Sequence, residues 1–363
     1  MTRARWKIGW GFTAACNMRC RFCYSRLARA GATDVDLESA YRFVDANADV
    51  IDSINYGTGE APLSPAWFHF IARVRTHHPS IRQAVTTNGT LWHATRGNGR
   101  SDRSWIGAID EVDVSLDFAD PARHNEARGC DCAYQWALAT VGLCREEGIV
   151  PTIVVVGFEP TLAAANLAGL FDIAARYGAF VRLNVLRPTP GTGVPPPSYD
   201  ELMAALSWLI ETTRVVSLAD PLFGSLFDPA GARPETTGDS SLRILPDGSI
   251  TPSTYLFTRE WVAGNVCDVP RLQKLRVSPE FGRLREAPVP RACAGCPAEH
   301  TCRGGALDRR VLHFHTVAAR DPYCPLANGR PFPAPRPIRR HQSGTAVPTV
   351  HDGYLPTLIF APA

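Results

Sequence analysis

The sequence has almost no lysine. Lys7 and Lys274 are the only two, and the rest of its positive charge is arginine, a bias that reads as codon usage and carries no functional weight. Neither sign of charge is in excess. A net charge of +3 is too small to argue for a nucleic-acid or anionic-membrane partner, so neither is expected. Long hydrophobic runs are also missing. No apolar stretch approaches the length that spans a bilayer, and the opening Met-Thr-Arg-Ala-Arg-Trp-Lys leads into no apolar signal core, so the chain is expected in the cytoplasm. No internal repeat is visible. What is present is ordinary globular composition, 45% hydrophobic and 20% charged, over 363 residues that can hold one large domain and a smaller one.

Against that background the eleven cysteines stand out. In a reducing compartment they argue for metal ligation or catalysis rather than a disulfide framework. Cys16, Cys20 and Cys23 form one group, Cys293, Cys296, Cys302 and Cys324 another, and Cys130, Cys132, Cys144 and Cys267 lie between.

Trp6 to Phe12 reads as a strand that delivers the chain to Cys16. Short apolar runs then recur at Val50–Tyr56, Gln83–Thr87, Glu111–Leu116, Val150–Val156 and Phe180–Leu186. Amphipathic stretches such as Ser64–Thr76, Cys132–Glu147 and Thr161–Tyr177 alternate with them. Repeated βα units of this spacing predict an α/β fold with a parallel sheet and helices outside it, and six of them make a partial (β/α)6 TIM-like barrel. "RPTPGTGVPPPS" marks a boundary near residues 187–197, with a further helix from Tyr199 to about Val215. "LRILPDGSITPS" reads as a hairpin turning at Pro-Asp-Gly. The second cysteine group sits in loop-like sequence that a metal can organise. "GRPFPAPRPIRRHQSGTAV" reads as an extended or disordered tail.

Three closely spaced thiolates can hold an iron-sulfur cluster by three of its irons and leave the fourth open for a substrate or cofactor. A structural zinc site wants four ligands, and the nearest candidate fourth ligand here is distant in sequence. Cys16-x3-Cys20-x2-Cys23, with Phe22 before the third cysteine, resembles the signature of the radical S-adenosylmethionine (radical SAM) enzymes. "INYGTGEAPL" resembles that family's Gly-Gly-Glu element, with Thr58 in place of the first glycine and Ala61 inserted before Pro62. "VTTNGT" fits the end of the third strand, and "VDVSLDFADPARHNEARG" the Ser-x-Asp, His and Arg-Gly pattern that follows the fourth. The resemblance implies that Cys16, Cys20 and Cys23 hold a [4Fe-4S] cluster whose open iron takes SAM. It further implies that Gly59 and Glu60 hold the SAM amine, that Ser115 and Asp117 approach its ribose or methionine, and that Arg128 pairs with its carboxylate. Phe22 would line the same site. Reductive cleavage of SAM would then give a 5′-deoxyadenosyl radical that removes hydrogen from a C–H bond.

For the second group, Cys-x2-Cys-x5-Cys with a later cysteine, spacing alone leaves zinc and an iron-sulfur cluster open. Its position after the first domain resembles the SPASM extension, in which a full cysteine set binds two auxiliary [4Fe-4S] clusters. Three expected cysteines are absent: Ser253 and Ala306 stand at two of the positions, and "ARPETTG" contains none. By the resemblance the inner auxiliary cluster is lost, while Cys293, Cys296, Cys302 and Cys324 keep the outer one. Thr254, acidic in sulfatase-maturing relatives, argues against that activity. The chain therefore reads as a radical SAM core over 1–220, a SPASM/twitch-like domain over 221–330, and a Pro/Arg-rich tail over 331–363.

With one auxiliary cluster, redox-neutral outcomes such as epimerisation gain weight. Cys267 is then a candidate hydrogen-atom donor, against the plainer reading of a buried small hydrophobe. Cys130 and Cys132 read as loop thiols, Cys144 as core, and His313 and His315 as flanking a strand or loop. Tyr24 is placed near the adenine. The motif begins so early that no leader-recognition domain precedes it, which favours a small natural-product substrate such as an amino sugar, cyclitol or nucleoside. Modification of a ribosomally made peptide with a separate recognition protein is the alternative, and a non-catalytic iron-sulfur protein a remote one. A flavodoxin or ferredoxin is the expected electron donor.

Overall fold

The computed structural model describes residues 5–96, 103, 105–334, 337–342, 347–348, 350–351 and 356–363. Six strands run in parallel: β1 (Trp6–Trp10), β2 (Ile51–Tyr56), β3 (Arg82–Thr87), β4 (Glu111–Ser115), β5 (Pro151–Gly157) and β6 (Phe180–Val185). Each pairs with the next in sequence, and helices such as Leu37–Asn47, Pro65–His77, Ala133–Glu146 and Ala164–Tyr177 make the crossovers. The strands are buried along nearly all their length, as a parallel sheet covered by helices requires. Trp10, Phe43, Tyr56, Trp67 and Phe70 pack edge to face beneath β1 and β2, which fixes the strand that feeds the cysteine loop.

Five more strands extend this sheet: β7 (Arg214–Leu218), β8 (Ser241–Ile244), β9 (Ser249–Thr251), β10 (Gly264–Asn265) and β11 (Leu358–Ala361). The order is β10-β9-β8-β1-β2-β3-β4-β5-β6-β11-β7. The Pro-Asp-Gly hairpin forms as expected, with β8 and β9 antiparallel and Gly248 at φ +81°. Its first strand also pairs in parallel with β1, so the C-terminal extension continues the barrel sheet.

Two expectations change. The segment read as a tail ends in β11, wedged antiparallel between β6 and β7, with Ile359 and Phe360 fully buried. Four apolar residues suffice there because both neighbours present open edges; residues 335–336, 343–346, 349 and 352–355 of that segment lie outside the described residues. His313 belongs to the helix Leu307–Phe314 and His315 caps it at φ +55°, since Leu307 and Val311 repeat at helical spacing against a small apolar cluster. Among the described residues no helix is long and apolar enough to cross a membrane.

Candidate active site

The loop after β1 is tied down before its cysteines are reached. Asp34 accepts from the Thr13 hydroxyl at 2.5 Å and from the Ala14 amide at 2.6 Å. The Arg19 amide then donates to the Arg128 carbonyl at 3.0 Å, which docks the loop on the end of the helix Pro121–Arg128. Cys16, Cys20 and Cys23 consequently face one cavity, about 1100 Å³ of space counted to its open mouth, at the C-terminal ends of the barrel strands.

Each of the three sulfurs has its own donor. Asn88 Nδ2 lies 3.8 Å from Cys16 Sγ, Arg128 Nη1 3.6 Å from Cys20 Sγ, and Arg29 Nη2 3.7 Å from Cys23 Sγ. Burial pushes the Cys16 thiol up to about 11 and raises Cys20. Burial also acts on Cys23, but hydrogen bonds from Ser25 and Arg29 outweigh it and leave that thiol lowered. Three thiols facing one space, each met by a polar donor, suit a cluster whose potential depends on hydrogen bonds to sulfur.

Gly59 and Glu60 face the same cavity. Gly59 sits at φ +70°, and a Cβ there would lie 1.9 Å from the Thr13 carbonyl oxygen, so only glycine lets this turn pack under the cysteine loop. Thr58 carries φ +91° with a branched side chain; its hydroxyl is held by Tyr24 Oη at 2.8 Å and by Arg243. Glu60 is fixed by the Thr87 hydroxyl and by the Asn88 amide at 2.9 Å. Burial pushes its carboxyl up to about 7 against those two hydrogen bonds, and an ammonium group placed beside it would restore its ionisation.

Ser115 and Arg128 line the cavity, as does Phe22, whose ring lies 5.1 Å from the Arg128 guanidinium. Asp117 differs from expectation. It is fully buried behind Arg128, bonded to that guanidinium at 2.5 and 2.8 Å and to the Val156 amide at 2.9 Å, and it is not part of the cavity wall. Its carboxylate positions Arg128 because an unpaired guanidinium at that depth would be too costly.

Cys267 is exposed on the turn Val266–Asp268, neither buried nor in the cavity. Cys130 and Cys132 lie in the turn beyond Arg128 outside the cavity wall, and Cys144 is fully buried core. In the extension Cys324 is within electrostatic reach of Cys293 and of Cys302, and the Cys296 amide donates to the Cys293 carbonyl, but among the described residues no three His, Cys, Asp or Glu side chains gather closely enough to hold a single metal ion. Burial and Asp321 push the Cys302 thiol well up. At the positions of the missing cysteines, Ser253 and Ala306 are buried, Thr254 lines the cavity, and Glu235 of "ARPETTG" accepts from the Leu307 amide at 2.6 Å.

Sequence reasoning overlooked the opposite wall. Arg182 of β6, Arg243 of β8, Arg187, Tyr255 and His351 all line the cavity. Arg182 and His351 share Asp113, at 3.0 and 2.9 Å, and Arg187 grips Asp308 at 3.3 and 3.4 Å. A charged residue inside each apolar strand, in "FVRLNV" and "LRIL", was the available signal for two of them. His351 gave none, since it enters from the far end of the chain beside β11.

Residues 10–162 match the family model described as the Radical SAM superfamily. Mycofactocin maturase MftC of Mycobacterium tuberculosis (strain CDC 1551) is 26% identical over 94% of this chain and 89% of its own length. The AdoMet-dependent heme synthase of Nitratidesulfovibrio vulgaris is 23% identical over 87% of this chain and 91% of its own. Among solved structures, Streptococcus suis SuiB bound to precursor peptide SuiA shares the fold with a TM-score of 0.68, at 14% identity over 87% of this chain and 75% of SuiB.

Proposed function

Since this chain is a radical SAM enzyme with a SPASM-type extension, we propose that it matures a peptide by removing hydrogen from one of its C–H bonds. The observation that carries the reading is similarity to a protein named a maturase along 94% of the chain, beyond the 10–162 core. The fold of SuiB, solved with a precursor peptide, supports it too. It replaces the small-molecule substrate as the preferred reading; the heme synthase keeps that second reading in view.

Cys16, Cys20 and Cys23 would hold the [4Fe-4S] cluster, and Glu60, the Gly59 backbone, Ser115 and Arg128 would hold SAM. Together the two groups supply a carbon-centred radical that takes hydrogen from unactivated C–H bonds. The chain's own part is orientation and exclusion. Asp117 locks Arg128 over Phe22, Thr87 and Asn88 hold Glu60 at the cavity, and Thr254 and Tyr255 line it from the extension. Cys293, Cys296, Cys302 and Cys324 would hold one auxiliary cluster, and the buried Ser253 and Ala306 are consistent with loss of a second. The electron would come from a flavodoxin or ferredoxin.

The test is incubation of the anaerobically reconstituted enzyme and SAM, with a strong reductant, alongside precursor-like peptides encoded beside its gene and, separately, glycosides and nucleosides. A mass change in a peptide, matched by 5′-deoxyadenosine, is expected. A change confined to a glycoside or nucleoside would overturn the peptide reading.

A further inference from the structure

A radical reaction that returns hydrogen to carbon needs a donor inside the cavity. Cys267, Cys130 and Cys132 lie outside the cavity wall, and the cysteines within it are the three expected to hold the cluster. Two phenols line the wall, Tyr24 and Tyr255. Tyr24 is engaged, its hydroxyl 2.8 Å from that of Thr58. Tyr255 is different. Its backbone amide is pinned by Ser253 Oγ at 3.3 Å, its ring meets that of Tyr24 edge-on at 5.3 Å, and the Arg187 guanidinium lies 5.0 Å from its centre. The ring is thus clamped on two sides, yet its hydroxyl makes no hydrogen bond among the described residues. The residue as a whole is buried, but its hydroxyl keeps some exposure in the cavity wall and is left to whatever occupies the cavity.

We propose that Tyr255 is the hydrogen-atom donor of this cavity, passing its phenolic hydrogen to a carbon-centred radical held beside it. This rests on the reading of the cavity as the site of radical chemistry, and it gives peptide maturation a redox-neutral course. In the step the O–H bond breaks homolytically and a C–H bond forms; carbon gains the hydrogen atom and Tyr255 becomes a neutral phenoxyl. The phenoxyl returns to phenol by taking one proton from solvent and one electron from a protein donor of the flavodoxin or ferredoxin class. Chemistry favours the direction, because a phenolic O–H is weaker than an alkyl C–H. Burial, opposed by Arg187, pushes the phenol up to about 12, so the hydrogen stays in place at every physiological pH.

SAM alone serves as the probe. The reconstituted holoenzyme, reduced with dithionite in heavy water free of thiols, exposes the new radical to the exchangeable O–D of Tyr255. The wild type is expected to form 5′-deoxyadenosine carrying deuterium at C5′. Tyr255→Phe, which keeps the ring and its packing, should still form 5′-deoxyadenosine but without that deuterium, and Cys267→Ala should match the wild type. Unlabelled 5′-deoxyadenosine from the wild type, or labelled product from Tyr255→Phe, overturns the proposal while leaving the radical SAM reading standing. No 5′-deoxyadenosine from any form overturns both. Wild-type enzyme frozen during turnover gives a reading independent of the variant: a paramagnetic signal that narrows with ring-deuterated tyrosine is expected, and its absence counts against Tyr255.

Discussion

Arg309 is the point where the extension is most exposed to perturbation. Its guanidinium is fully buried between two carboxylates, bonded to both oxygens of Asp220 and to Asp321 Oδ2 at 2.7 and 2.8 Å, with the Phe223 ring 4.9 Å away. Asp220 caps the helix Pro221–Phe227, and Asp321 accepts from the Ala306 amide and, through its carbonyl, from the Cys324 amide. One side chain therefore ties the helix after β7 to the loop that presents Cys324. Arg309→Met keeps much of the volume but leaves two buried carboxylates facing each other. Removing one partner from a buried pair costs about 3–5 kcal/mol. With an unfolding entropy of about 2.1 cal/mol/K per residue over 363 residues, that predicts a fall in Tm of roughly 4–7 °C. Thermal unfolding by circular dichroism measures it, and an iron count on the reconstituted protein should fall with it as the Cys324 loop loosens. Adding Asp220→Asn and Asp321→Asn removes the unpaired charges and should recover most of the loss. A single variant that melts within about 1 °C of wild type, or a triple variant no more stable than the single, would show that Arg309 does not hold these carboxylates together.

Glu235 should make stability fall as pH rises. Burial and the neighbouring Asp308 push its carboxyl up from 4.5 to about 7, so between those values the folded state keeps a proton that the unfolded state has lost. Glu235→Gln is expected to flatten that part of the urea-unfolding profile, and an unchanged slope from pH 4.5 to 7 would contradict the assignment. At the chain's end, Phe360→Ala should destabilise by about 3–5 kcal/mol, as a fully buried aromatic does. Ending the chain before Leu358 should leave β6 and β7 with open edges and produce insoluble protein; a soluble truncation of wild-type stability would restore the reading of an extended or disordered tail.

Much of the site was legible from short range alone. Cys16, Cys20 and Cys23 lie within eight residues, so any loop that follows β1 carries all three together. Gly59 and Glu60 are neighbours at the end of β2, where parallel βα topology gathers functional groups. The short apolar runs and the 3.6-residue periodicity between them likewise pointed to six parallel strands with helices between them, because a strand buried on both faces is apolar throughout while its covering helix is apolar along one side. Asp117 shows the limit of that logic. The Ser-x-Asp spacing sends Ser115 to the cavity, but whether the Asp117 carboxylate reaches the cavity or backs Arg128 depends on the path of the following helix.

Only the tertiary structure decided the far wall. Tyr255, Arg243 and His351 come from segments more than two hundred residues beyond the cysteine motif, and no local spacing records that β8 joins β1 or that β11 wedges beside β6. An open sheet edge pairs with whatever strand the rest of the fold brings beside it, so the partner of an edge is settled by geometry across the whole chain. The sequence by itself thus determined which three cysteines gather behind β1. The fold decided which side chains share their cavity, and it put Tyr255 there rather than Cys267.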